Sequence, residues 1–290
     1  MAGPLLALAW CAASFALWVY CAQPRLSPDG IYYLRVACRK TVPSPYSRRT
    51  LLPLLLGERV WPWRVATGAA AVACGPLLAL YVGGGWQQEV FSAALLSGLF
   101  GIFALPAHLP VLVDAPAMAL ALAAAVAAQH GVFLVAVVAA AVAGLFHERA
   151  PVFAAAWSLC PWLLLALPVL GAVWACTPTA PPDAPWLEHP MIEARKTQAA
   201  AWHDWKSMLA PWGVLALLAP LEAPRAGGAA IWSCLLSLAL GYGQLLMAQD
   251  RARLFLWAAP PVIALVARGT PTWLMPLLVV VHLVVSERSI

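Results

Sequence analysis

The sequence predicts an all-α fold, a polytopic membrane helix bundle with about nine or ten transmembrane helices, and three observations carry that expectation. Hydrophobic residues make up 63% of the 290-residue chain and charged residues 10%, where soluble domains carry roughly one quarter charged. Mean hydropathy is +0.82. Runs such as LVAVVAAAVAGLF lack the polar/apolar alternation of a membrane barrel strand, so helix is the form that satisfies their backbone in lipid. Residues 1–290 read as a single transmembrane domain with no sizeable soluble core.

The first helix is expected over Pro4 to Cys21, and no Lys or Arg precedes it, so it lacks the charged start of a cleaved signal and reads as a retained helix. It delivers the chain to a charged loop, residues 22–60. Within that loop Tyr32 to Lys40 predicts a short interfacial helix, because Arg35 and Arg39 stand one turn apart. Pro43 and Pro45 end it, a second short helix covers Arg48 to Leu56, and Trp61 and Trp63 mark a membrane interface. Further helices are expected over Trp63 to Val82, and after Gly83-Gly84-Gly85 over Glu89 to Leu105. Pro106 and Pro110 bracket His108, and Asp114 stands two residues before Pro116 in the first turn of the next helix, where proline is tolerated.

Val132 to Phe146 predicts another helix, closed by His147, Glu148 and Arg149. The apolar run from Pro151 to Cys176 holds Pro161 and Pro168, so it is either one kinked crossing or a pair of segments that enters and folds back. Residues 177–190, TPTAPPDAPWLEHP, form the one linker-like stretch. An interfacial helix near residues 190–208 is expected from Trp202 and Trp205 set among Arg195, Lys196, His203 and Lys206. Helices then follow over Pro211 to Leu221, Ala229 to Ala248, Leu254 to Ala267 and Trp273 to Val285, with Asp250, Arg251 and Arg253 in the turn between the second and third.

The candidate chemistry follows from where charge is spent. Asp29, beside Gly30 at the mouth of the first helix, suits a general base or a ligand to a divalent cation, and equally a cap on the following helix. Asp114 faces the same choice. Arg48 and Arg49 would point about 100° apart on a helix, so one suits a phosphate and the other a lipid headgroup. His147, Glu148 and Arg149 bunch at the end of an uncharged run, where ionisable groups are costly and usually functional. Asp250 and Arg253 read as an i, i+3 pair or as part of the same site.

If residues 151–176 fold back, nearly all these groups share one face, and the positive-inside rule places that face in the cytoplasm. The seven cysteines show no metal-ligand spacing and read as small buried hydrophobes. The net charge of +5 clusters in one loop without the grooved, aromatic-interleaved pattern of nucleic-acid binders, so no nucleic acid is expected and phosphate or an anionic headgroup fits better. No Ser-His-Asp arrangement, P-loop, HExxH or CxxC pair is present, which argues against a hydrolase or an ATP-driven pump.

Asp-Gly-x-Tyr-Tyr (Asp29 to Tyr33), R-x-L-x-P (Arg49 to Pro53), Asp-Ala-Pro (Asp114 to Pro116), HERAPVF (His147 to Phe153) and the late Asp-x-x-Arg (Asp250, Arg253) together resemble bacterial integral-membrane glycosyltransferases of the GT-C type. The resemblance implies sugar transfer from a polyprenyl-phosphate-linked donor at a bacterial-type inner membrane, with membrane lipid as a partner. Asp29 would be the general base, Asp114 the assisting acid or metal ligand, and Glu148 a further acid of the site. Tyr32, Tyr33, Tyr46, Arg48, Arg49, His147, Arg149, Asp250 and Arg253 would bind substrate, the arginines holding the donor phosphate as it leaves. The cofactor stays open, a divalent cation being one candidate. The chain departs from the pattern in being short, in lacking a soluble C-terminal domain and in showing one Asp where some members carry an acidic pair.

Overall fold

In the computed structural model, residues 2–188, 192, 212–244 and 256–285 are described, and every regular element among them is helical. α1 (Ala2–Cys21) leads to α2 (Pro28–Ala37), a 3-10 turn at Tyr46–Arg48 and α3 (Leu51–Leu56). Then come α4 (Val60–Val82), α5 (Trp86–Gly98), α6 (Phe100–His108), α7 (Asp114–Gln129) and α8 (Phe133–Phe146). α9 (Ala150–Ser158), a 3-10 turn at Pro161–Leu165, α10 (Ala166–Ala175) and one helical turn at Pro185–Glu188 follow, and α11 (Leu215–Glu222), a 3-10 turn at Ala223–Arg225, α12 (Gly228–Gln244), α13 (Ala259–Gly269) and α14 (Met275–Val285) complete the described elements.

Helix length corrects the expected nine or ten crossings. Among the described residues, α1 and α4 are long and apolar enough to cross a membrane, and α5 with α6, bent by 46°, would make a third. α7, α8, α13 and α14 are apolar but only 11 to 16 residues long. A hydrocarbon core asks for about 20 residues per helix. The runs that read as whole spans are cut by backbone breaks: Gly131 turns the chain at a φ of 75° between α7 and α8, and Leu99 in extended conformation splits the expected helix from Glu89 to Leu105. The interfacial helix expected near residues 190–208, and the turn holding Asp250 and Arg253, lie outside the described residues.

Small residues let the helices close on one another. α1 lies against α4 where a Cβ on Gly75 would collide with the Cys11 sulfur, and α10 lies against α8 where one on Gly144 would collide with Leu170. The core that results holds Trp63, Trp157, Trp257, Tyr33, Phe103 and Phe153, all fully buried. Trp157 Nε1 donates to the Trp257 carbonyl at 3.1 Å, and Tyr81 donates to the Trp157 carbonyl at 2.7 Å, so Trp157 and Tyr81 also meet their polar needs, whereas Trp257 Nε1 is buried without a hydrogen-bond partner among the described residues.

The segment from Pro151 to Cys176 folds back. Glu148, just before α9, pairs with Arg49, and Trp174, at the end of α10, donates to the carbonyl of Arg48 at 3.2 Å, so both ends of the segment reach neighbouring residues. The reversal is built by Leu159, left-handed at a φ of 52°, and extended Cys160. α9 spans only about 13 Å at 1.5 Å per residue, less than half of a hydrocarbon core of about 30 Å. Of the two readings the prolines allowed, the fold takes the second.

The helical body therefore has two unlike ends. At one, Arg25 N donates to the His108 carbonyl at 2.7 Å, and Gly30 packs on Val111, gathering the first loop and the α6–α7 connection. At the other, the Arg268 guanidinium donates to the Val82 carbonyl at 2.8 Å, closing the C-terminus of α4, and Glu222 pairs with Arg225 at 2.9 Å.

Candidate functional site

Asp29 reaches the site because Ser27 takes the capping role. Ser27 Oγ accepts from the Gly30 amide at 2.9 Å and Pro28 opens α2, so the helix begins four residues before the expected Tyr32 and carries Asp29 in its first turn. The capping alternative for Asp29 is thereby corrected. Its Oδ1 accepts the Tyr46 hydroxyl at 2.6 Å. Tyr46 stacks on Tyr32 with ring centres 4.5 Å apart and meets Tyr33 edge-on at 5.5 Å. The three tyrosines named from the sequence form one aromatic block against α2.

Arg48 and Arg49 are separated by the end of the 3-10 turn. Arg49 turns inward and is 4% exposed, while Arg48 stays on the outside with its guanidinium 5.6 Å from the Trp174 ring. Arg49 grips Glu148 bidentately, Nε to Oε2 at 2.7 Å and Nη2 to Oε1 at 2.6 Å, and its Nη1 donates to the Tyr33 hydroxyl at 2.9 Å. Such a fork is among the stronger protein ion pairs. Burial alone would lower the Arg49 pKa, yet the charges of Glu148 and Tyr33 hold it well above its ordinary value. For Glu148 burial pushes upward, and the Arg49 charge, helped by His147, pulls it well below the usual carboxylate range. Both groups stay charged, and Glu148 retains 21% of its side-chain surface.

His147 ends α8 and is 2% exposed, its ring between two carboxylates: Nε2 is 3.7 Å from Asp114 Oδ1, and Nδ1 is 3.7 Å from Glu148 Oε2. The Arg149 amide donates to Nδ1 at 3.5 Å, which makes Nδ1 an acceptor and puts the ring proton on Nε2, toward Asp114. Burial first, and then the Arg49 charge, lower its pKa to about 3, so it is a neutral imidazole at physiological pH. Asp114 opens α7 without capping it: the N-cap is Val113, with no side-chain cap bond. Its carboxylate is buried in the first turn of α7.

Of the residues singled out in the sequence, the fold links Asp29, Tyr46, Tyr32 and Tyr33 through Arg49 to Glu148, His147 and Asp114 in one run of contacts, with Asp29 and Asp114 at its two ends, and leaves Arg48 at the rim. Arg149 faces α12, donating to Gln244 Oε1 at 2.8 Å. That contact brings the C-terminus of α12 to the end of the body where the site lies; Asp250 and Arg253 beyond it lie outside the described residues. Asp183, Gln244 and Trp257 join the site without being singled out. Asp183 accepts from Tyr32 at 2.5 Å and Trp257 lies 5.2 Å from the His147 ring. An Asp within the linker's Pro-rich run was the one available signal for the first, and a Gln closing an apolar helix for the second. No group of three His, Cys, Asp or Glu side chains able to hold a metal ion occurs among the described residues. Compared with known proteins, the chain matches no family model, no curated protein and no solved structure.

Proposed function

We propose that the chain is a membrane glycosyltransferase of the GT-C type, moving a sugar from a polyprenyl-phosphate-linked donor to a lipid, glycan or protein acceptor at the surface of a bacterial-type inner membrane. The observation that carries the reading is the convergence, at one end of an apolar helical body, of Asp29 with Tyr46 and of Asp114, His147, Glu148 and Arg49, drawn from three separated stretches of chain. Among the described residues two helices, or three spans if the bent α5–α6 pair counts as one, have the length and composition to cross a membrane. Such a body has little reason to concentrate buried charge at one end unless the charge has work there.

In this reading the Asp29 carboxylate takes the proton of the acceptor hydroxyl, whose oxygen bonds to the anomeric carbon of the donor. The bond from that carbon to the phosphate oxygen breaks, and polyprenyl phosphate leaves with the electron pair. Tyr46 orients Asp29. Arg48, exposed at the rim, is the cation placed to meet the departing phosphate, and Arg49, whose donors are committed to Glu148 and Tyr33, holds the Asp114 side of the site in shape. A divalent cation finds no three-donor set among the described residues, and both Glu148 oxygens are already held by Arg49.

A second reading, a non-enzymatic lipid-binding bundle, draws on the same commitment of Arg49 and on the Arg48–Trp174 contact, which suits a headgroup anchor at an interface. One experiment separates the two. The purified protein in proteoliposomes is given polyprenyl-phosphate-linked sugars, and transfer is followed with Asp29→Asn alongside. The glycosyltransferase reading expects transfer by the parent and a loss of at least about 100-fold in the variant at equal expression, within the range general-base catalysis supplies. Undiminished transfer by the variant would sink the mechanism.

A further inference from the structure

We propose that the Pro-rich segment 177–184 is a strap across the outside of the first loop, and that its Asp183 is a positioning residue for Asp29, acting through Tyr32 and Tyr46. The inference deepens the reading of the site above and rests on it for its catalytic meaning; the strap itself does not.

The strap is attached at two points along its length and is led in by a third contact at the end of α10. Trp174 holds the Arg48 carbonyl at 3.2 Å, the Ala180 amide donates to the Val42 carbonyl at 3.0 Å, and Asp183 accepts from Tyr32 at 2.5 Å and pairs with Arg35 at 3.2 Å. Proline at 178, 181 and 182 suits such a segment, because it fixes the backbone and removes amides that would otherwise need partners. What reaches inward from it is Asp183. Tyr32, buried, donates to Asp183 and lies flat on Tyr46 at 4.5 Å and 11° between ring planes, and the Tyr46 hydroxyl in turn holds Asp29 Oδ1 at 2.6 Å. Two tyrosines stacked in parallel cannot shift independently, so the position of the Tyr32 hydroxyl constrains the Tyr46 ring and with it the carboxylate that Tyr46 orients.

The contributions of the two Asp183 contacts are unequal. The pair with Arg35 is exposed on both sides, at 48% and 44%, and pairs of that kind contribute little. The hydroxyl-to-carboxylate bond from a buried tyrosine is the stronger, charge-assisted contact. Asp183→Ala therefore acts through Tyr32, Arg35→Gln has a small effect, and Asp183→Asn, whose amide oxygen still accepts from Tyr32, restores most of the function.

The test combines amide hydrogen exchange with kinetics on the full-length protein in proteoliposomes. The Ala180 amide reports the strap. The amides of Ser47, Arg48 and Arg49, bonded to the carbonyls of Pro43, Pro45 and Tyr46, report the turn that carries Tyr46. In Asp183→Ala both sets are expected to exchange at least tenfold faster, with Asp183→Asn near the parent; transfer by Asp183→Ala should lose about tenfold in kcat with KM little changed. Faster exchange at Ala180 with Ser47 to Arg49 unmoved would overturn the coupling, and unchanged exchange at Ala180 would overturn the strap. If exchange changes as stated but the parent transfers no sugar, the strap and its coupling to Tyr46 stand and the glycosyltransferase reading fails. If the parent transfers sugar and Asp183→Ala does so at the parental kcat, the positioning role fails alone.

Discussion

Arg49 and Glu148 show how a charge is kept at the end of an apolar body. Each alone would be costly there, and together they form a two-toothed fork with Tyr33 on the remaining donor. Glu148→Gln should destabilise the protein by about 3 kcal/mol in thermal unfolding, because it leaves Arg49 buried and unpaired, whereas Arg49→Met combined with Glu148→Leu should cost much less. His147 makes a separate, pH-dependent contribution. Its pKa falls from 6.5 to about 3 in the fold, so the unfolded chain takes up a proton that the folded one refuses. Stability is therefore expected to fall as pH drops from 6.5 toward 3, by up to about 1.4 kcal/mol per pH unit from this group. Glu148 acts lower on the scale. Its depressed pKa stabilises the fold fully above the ordinary value of 4.5 and is lost only as acid reaches well below it. Unfolding midpoints measured from pH 7 to pH 5 should slope for the parent and flatten in His147→Gln; an equal slope in both would remove His147 as the cause.

Helical elements were legible in the sequence where composition alone decides them, and less so where backbone geometry does. α1, α4 and α8 fall close to the apolar runs that announce them, because a run of such residues has no other stable form in lipid. The start of α2 was misplaced because Ser27-Pro28 reads as turn as readily as it does as cap and first helical residue. Counting each run as a crossing overestimated the number of spans, since run length does not reveal a break such as Leu99 or a reversal such as Leu159. For the site, the acids, arginines and tyrosines were visible as rare polar residues, but their pairing was not: Arg49 with Glu148 joins residues 99 apart in sequence. The fold-back of α9 and α10 depends on a close approach at Gly144, where any side chain would meet Leu170 and Pro151. Gly144→Leu should force α10 off α8 and cost about 2 kcal/mol or more in unfolding, and the Trp174 contact with Arg48 should loosen with it, readable as faster exchange around residues 46–49. Unchanged stability in that variant would mean that α10 does not need α8.

At the scale of the molecule, the account rests on polarity being sorted to one end. Arg25, Arg35, Arg39, Lys40 and Arg48 are exposed at the end that also holds Asp29, the buried Asp114 and the His147 to Arg149 turn, while the Gly83 to Gly85 turn, Arg225 and Arg268 mark the other end. The fold-back is what permits this sorting, because it returns the chain after α10 to the end where it entered at α9. In a membrane-spanning reading, the positive-inside rule would turn the basic end to the cytoplasm unless its arginines answer to a ligand instead. The central claim, one polar site on one face, is tested most directly by labelling single cysteines with a membrane-impermeant thiol reagent in sealed vesicles of known orientation, in a background without native thiols. Cysteines placed at Arg25, Arg48 and native position Cys176 should all label from one face and a cysteine at Gly84 from the other. Labelling of residue 176 from the face of Gly84 would contradict the fold-back and with it the one-face site.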